Sequence, residues 1–179
     1  MTDVDVWRFS LDPPNGSLRE SVRSILAGYL GADPDSLALA YGPHGKPELA
    51  GTFATSGLRF NASRSGRLGV LAVARGREVG VDVERIDPRR ALGPIADQLF
   101  AADEAAELRA LPEEGRIRRF FELWTVKEAY AKALGVGLSV PLSQLRAPRG
   151  WLVRDLPLGP GFAGALCVRG RGLRVHMHE

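Results

Sequence analysis

A chain of 179 residues with 45% hydrophobic content and a net charge of +3 is long enough for one domain, or two small joined halves, around a sizeable core. Its longest apolar run, Leu68 to Ala74, falls far short of the ~20 residues of a membrane span, and Met1 to Trp7 lacks the basic flank of a signal peptide, so a cytoplasmic protein without membrane association is expected. One cysteine, Cys167, rules out an internal disulfide, and the Arg85/Arg89/Arg90 and Arg116/Arg118/Arg119 clusters lack the interleaved aromatics of a stacking surface, so no nucleic-acid partner is expected.

Val4 to Phe9 reads as a first strand, followed by a turn at Pro13 to Gly16. Ser17 can cap a helix that runs to about Leu30 and stops at Gly31, with Val22, Ile25, Leu26, Tyr29 and Leu30 on its apolar face and Arg19 and Arg23 on another. Pro34 to Gly57 is rich in Gly and Pro, with a short strand at Leu37 to Ala40 and a loop carrying Lys46. Leu58 to Ala62, Leu68 to Arg75 and Glu78 to Glu84 read as strands, the last two expected to form a hairpin about Gly76-Arg77. A connector at Arg85 to Pro94 leads to helices at Ile95 to Phe100, Ala102 to Leu111 and Ile117 to Leu134, the last stopped by Gly135. Strands return at Trp151 to Arg154, Gly161 to Val168 and Leu173 to His178. This order predicts an α+β fold of two similar halves in pseudo-twofold relation, residues 1–90 and 91–179, each a helix packed on a small antiparallel sheet.

Only three of the 24 basic residues are lysines, and all lie in two dense segments, Tyr41 to Leu49 and Trp124 to Lys132. A compact ammonium contacts phosphate as a point charge, which marks Lys46, Lys127 and Lys132 for attention. In Val79 to Glu84, strand alternation puts Gly80, Asp82 and Glu84 on one face, the two carboxylates about 7 Å apart. That pair could hold Mg²⁺ or could end an exposed sheet face. Glu128 and Lys132 are i and i+4 neighbours on a helix, with Lys127 on an adjacent part of its surface. They could make a surface ion pair worth ~0.3 to 0.5 kcal/mol, or complete a metal-diphosphate site beside Asp82 and Glu84. Phe60 to Gly66 offers hydroxyls, Arg64 and backbone N–H groups between two strands, as an anion-binding loop or a simple polar turn. With His44, His176 and His178 the only histidines, no zinc-type spacing exists; His176 and His178 are expected as an exposed pair. No Gly-x-Ser-x-Gly nucleophile elbow occurs.

Taken in order, Gly45-Lys46-Pro47, Phe60-Asn61-x-Ser63-x-Ser65-Gly66, Gly80-Val81-Asp82-Val83-Glu84 and Trp124-x-x-Lys127-Glu128-Ala129 with Lys132 and Gly135 resemble the 4′-phosphopantetheinyl transferases of the Sfp type. The resemblance implies transfer of the 4′-phosphopantetheine arm of coenzyme A to a serine of an acyl- or peptidyl-carrier protein, with release of 3′,5′-adenosine bisphosphate. It implies Mg²⁺ held by Asp82, Glu84 and Glu128, with Glu128 also the general base and Lys132 near the diphosphate. Lys46, Ser63 and Arg64 match contacts to the nucleotide end of coenzyme A. Two features depart from the pattern: Arg64 stands where the family usually has histidine, and only about sixteen residues precede the Leu18 helix, where many relatives carry a longer basic arm. Arg19 and Arg23 are expected to substitute in part for that arm. The 1–90 half is expected to bind coenzyme A and the 91–179 half to meet the carrier, through an apolar patch rimmed by Arg116, Arg118 or Arg119. A monomer is expected. The competing reading is a catalytically weak relative that binds coenzyme A or a carrier protein without transfer.

Overall fold

The computed structural model describes residues 3–11, 17–89 and 93–179; the expected turn at Pro13 to Gly16 and Arg90 of the connector lie outside them. Strand β1 (Asp3–Ser10) is followed by helix α1 (Leu18–Leu30), where the Ser17 hydroxyl accepts the Glu20 N–H and Gly31 closes the helix in the left-handed region at φ 61°. Strands β2 (Leu39–Tyr41) and β3 (Pro47–Leu49) make a short hairpin whose turn carries Lys46. Strands β4 (Leu58–Ser65), β5 (Leu68–Arg75) and β6 (Val79–Arg85) come next. Helices α2 (Gly93–Leu99), α3 (Ala102–Ala110) and α4 (Glu113–Leu134) lead to strands β7 (Trp151–Asp155), β8 (Phe162–Arg169) and β9 (Arg174–His178).

The fold is α+β, with one main sheet ordered β4-β5-β1-β9 and another ordered β6-β8-β7. Pairings are antiparallel except β1 with β9, which run parallel. The expected β5–β6 hairpin does not form. β5 is buried on both faces from Leu68 to Ala74, and its two edges are taken by β4, through the Gly66-Arg67 turn, and by β1. With no edge left, the chain turns at Gly76 and enters the second sheet, where β6 pairs with β8. A local turn signal cannot report which edges are already occupied.

Val4 and Val6 of β1, Val70 and Ala72 of β5, Val79, Val81 and Val83 of β6, and Leu166 and Val168 of β8 form one core shared by both sheets. α1 covers the other face of the first sheet, with Val22 and Leu26 against Phe60, Leu71 and Val73. α4 covers the second, with Ala129 and Ala133 beside Ala165 and Cys167. The C-terminal strand β9 is held beside β1 by side chains as well as by pairing: His178 stacks on Trp7 with centroids 4.5 Å apart and lies 2.7 Å from Asp5. His178 is therefore engaged, while His176 is half-exposed and near Asp3.

Lys127 is not on the surface. It is 2% exposed, and its ammonium donates to the Leu142 and Leu145 carbonyls, each at 3.0 Å, and pairs with Glu104 at 2.9 Å. It fastens α4 to α3 and to the segment that follows α4. Lys127→Met is expected to lower stability by about 3 kcal/mol, measured by urea denaturation. Glu104 keeps the Ala101 N–H as a donor at 2.9 Å, which holds the loss near the lower end for a broken buried pair.

Candidate active site

Alternation along β6 sends its valines into the shared core and leaves Gly80, Asp82 and Glu84 facing α4. Gly80 sets how close that helix can come. A Cβ there would stand 2.0 Å from the Ala129 carbonyl oxygen and 2.4 Å from the Ala133 N, so the helix backbone rests directly on the strand. Glu128 and Lys132, one turn apart, are brought to the Asp82/Glu84 face by that contact.

Lys132 lies at the centre of the cluster. Its ammonium donates to Asp82 Oδ1 at 2.5 Å and to Ser63 Oγ at 3.0 Å, while the Ser63 hydroxyl donates to the same Asp82 oxygen at 2.8 Å. Of the two readings open for Glu128 and Lys132, the plain surface pair does not describe this contact, since Lys132 engages Asp82 and Ser63 across elements. Glu84 accepts from the Ser65 hydroxyl at 3.2 Å. Glu128 has no hydrogen-bond partner among the described residues, and its carboxyl is held above the usual range, first by burial and then by the negative charges of Asp82 and Glu84, with Lys132 opposing.

Asp82 is 3% exposed, and its Oδ2 is buried without a hydrogen-bond partner. An anionic oxygen in that state is costly to bury. Glu128, whose proton affinity is raised by burial first and then by the two other carboxylates, adds to the same deficit of positive charge. Oxygen-only donors of this kind fit Mg²⁺, which takes few protein carboxylates and completes its shell with water and phosphate. No His, Cys, Asp and Glu group of three is gathered closely enough to hold an ion by itself among the described residues; Lys132 stands among the carboxylates instead.

The remaining expected site residues are placed differently. Lys46 donates to Glu78 at 3.0 Å and reaches across to α4, donating to the Ala133 carbonyl at 2.9 Å. Phe60 to Ser65 is not a loop but the end of β4, and only Gly66 and Arg67 make the turn. Ser63 consequently faces β6, whereas Arg64 points the other way along the strand and is exposed. Arg23 donates to the Pro34 and Asp35 carbonyls at 2.9 and 2.8 Å and pins that turn to α1; the cluster's hydrogen bonds do not include it. Arg116 donates to the Leu111 carbonyl, Arg118 to that of Pro160, and Arg119 pairs with Glu107 and Glu122.

A sequence model of the 4′-phosphopantetheinyl transferase superfamily matches residues 78–158, the stretch that carries Asp82, Glu84, Glu128 and Lys132. The 4′-phosphopantetheinyl transferase HetI of a Nostoc strain is 35% identical, with 95% of this chain and 89% of that protein covered. The chain belongs to the 4′-phosphopantetheinyl transferase superfamily and is an enzyme of that family. The 4′-phosphopantetheinyl transferase of Bacillus subtilis is 33% identical over 68% of this chain, which spans 51% of that relative's length. A crystal structure of Thermotoga maritima holo-[acyl-carrier-protein] synthase matches 52% of this chain and 62% of its own at 22% identity and a TM-score of 0.41. No helix among the described residues of the transferase is long and apolar enough to cross a membrane.

Sequence reasoning missed two members of the transferase's cluster. Asn61 accepts the Val81 N–H at 2.9 Å, and Ser65, besides bonding Glu84, accepts the Arg85 N–H at 2.9 Å. Their signal was present: Asn61, Ser63 and Ser65 occupy alternate positions of a strand whose other face is apolar at Phe60 and Ala62.

Proposed function

We propose that this transferase moves the 4′-phosphopantetheine arm of coenzyme A onto a serine hydroxyl of an acyl- or peptidyl-carrier protein, releasing 3′,5′-adenosine bisphosphate. The observation that carries the reading is the Lys132 ammonium seated on Asp82, with one Asp82 oxygen buried and unpartnered and Glu128 near enough to feel the charges of Asp82, Lys132 and Glu84. The serine oxygen attacks the phosphorus that bears the pantetheine arm, and the bond from that phosphorus to the bridging oxygen breaks. Glu128, whose carboxylate already has a raised proton affinity, accepts the serine proton directly or through a water. Lys132 supplies positive charge beside the departing phosphate. Asp82, Glu84 and Glu128 would hold Mg²⁺, which when bound neutralises charge on the diphosphate.

The first half supplies the grip on coenzyme A in this reading, and the second half meets the carrier. Arg64, exposed at the end of β4, is free to take a nucleotide phosphate in a bidentate hold and stays charged across the range where histidine titrates. The coenzyme A dissociation constant of the wild type is therefore expected to stay within about twofold between pH 6 and 7.5, and that of Arg64→His to rise as histidine loses its proton. Equal pH profiles for the two proteins would remove Arg64 from the site.

The deciding experiment is intact-mass analysis of a panel of apo carrier proteins incubated with the enzyme, coenzyme A and Mg²⁺. Gain of the phosphopantetheine mass on one serine is expected. Failure across acyl and peptidyl carriers, with coenzyme A still bound, would overturn the transfer reading in favour of binding alone.

A further inference from the structure

β4 and β6 are edge strands of different sheets, yet they lie side by side, joined by side chains. Asn61, Ser63 and Ser65, spaced two residues apart on β4, reach Val81, Asp82 and the Glu84/Arg85 pair on β6. Asn61 is 4% exposed and its side-chain oxygen takes the Val81 N–H, so the β6 backbone is pinned one residue before Asp82. The serine bonds have fixed polarity. An amide N–H can only donate, so the Arg85 N–H occupies a lone pair of Ser65 and directs the Ser65 proton onto Glu84. The Lys132 ammonium, also only a donor, does the same at Ser63 and directs that proton onto Asp82. Each carboxylate therefore receives a hydroxyl donor whose orientation is set by a second donor behind it.

We propose that Ser65, backed by Asn61, is a positioning residue for the cation site. Ser65 fixes the rotation of the Glu84 carboxylate, and Asn61 holds the strand that sets Asp82 and Glu84 in register. This rests on the reading of Asp82, Glu84 and Glu128 as Mg²⁺ ligands. Hydrogen bonds behind ligating carboxylates commonly change metal affinity by about 10- to 100-fold.

The test is a titration of Mg²⁺ into the enzyme saturated with coenzyme A, without carrier, followed by the melting temperature. The wild type is expected to gain Mg²⁺-dependent stability. Ser65→Ala is expected to need about 10-fold more Mg²⁺ for the same gain, and Ser65→Thr, which keeps the hydroxyl, to restore a midpoint near that of the wild type. The Mg²⁺ concentration for half-maximal transfer is expected to move in parallel while kcat at saturating Mg²⁺ changes little. A merely structural serine would lower every melting temperature and leave the Mg²⁺ midpoint in place, and that result overturns the proposal. If Ser65→Ala does not fold, Ser65→Cys, similar in volume but a weak donor, is read by the same rule. A wild type indifferent to Mg²⁺ would instead overturn the cation site itself, which separates the two failures.

Discussion

Glu128→Gln is expected to lower carrier-protein modification by about 10²- to 10⁴-fold, the span typical of a lost general base, while leaving the enzyme folded. Glu128 has no hydrogen bond to lose among the described residues, and burial together with Asp82 and Glu84 already disfavours its charge. A carboxyl whose folded pKa is raised contributes stability that is fully present below the unfolded pKa and is lost as pH rises through the folded value. At pH 7 without Mg²⁺, Glu128→Gln should therefore melt no lower than the wild type and somewhat higher, and the two curves should converge in acid. Asp82→Ala should also abolish transfer, but with a falling melting temperature, because it strips the acceptor from Ser63 and Lys132. Activity read by intact mass and stability read by thermal melts thus separate the two carboxylates. Glu128→Gln with wild-type turnover would exclude Glu128 as the base.

Gly80→Ala is expected to destabilise the protein by about 3 kcal/mol or more, at the upper end for overpacking. The added methyl would meet backbone, at 2.0 Å from the Ala129 carbonyl oxygen and 2.4 Å from the Ala133 N, and a helix backbone cannot rotate aside as a side chain can. α4 must lift from β6, carrying Glu128 and Lys132 away from Asp82 and Glu84. For a chain of this size the loss corresponds to a fall of roughly 6–12 °C in Tm, and the residual folded protein should transfer poorly even below its Tm. Gly28→Ala is the control, since nothing lies within 4 Å of a Cβ at that helical position. A Gly80→Ala enzyme with wild-type Tm would show that α4 does not rest on this strand.

The two outcomes trace to different levels of organisation. Helix ends were written locally: Ser17, Gly31 and Gly135 act through their own backbone and side-chain chemistry, and the caps fall where the sequence puts them. The Asp82/Glu84 face was equally legible, since a period of two needs no partner to define it. The four ordered motifs carried the family. Lys127 and Lys132 looked alike in sequence, five residues apart on one helix; one became a buried clamp on α3 and the other the centre of the carboxylate cluster. That difference depends on which neighbours each side of α4 meets.

The sequence by itself determined most of the elements, the alternation along β6 and the family, because those follow from local backbone preference, periodicity and motif order, and it named the carboxylates proposed for the site. Only the tertiary structure decided that β5 has no edge for β6, that β9 returns beside β1, and that Asn61 and Ser65 join β4 to β6. Each of these is a choice among surfaces far apart in the chain, set by burial of both faces of a strand and by the need to satisfy edge N–H groups that no nearby residue can reach.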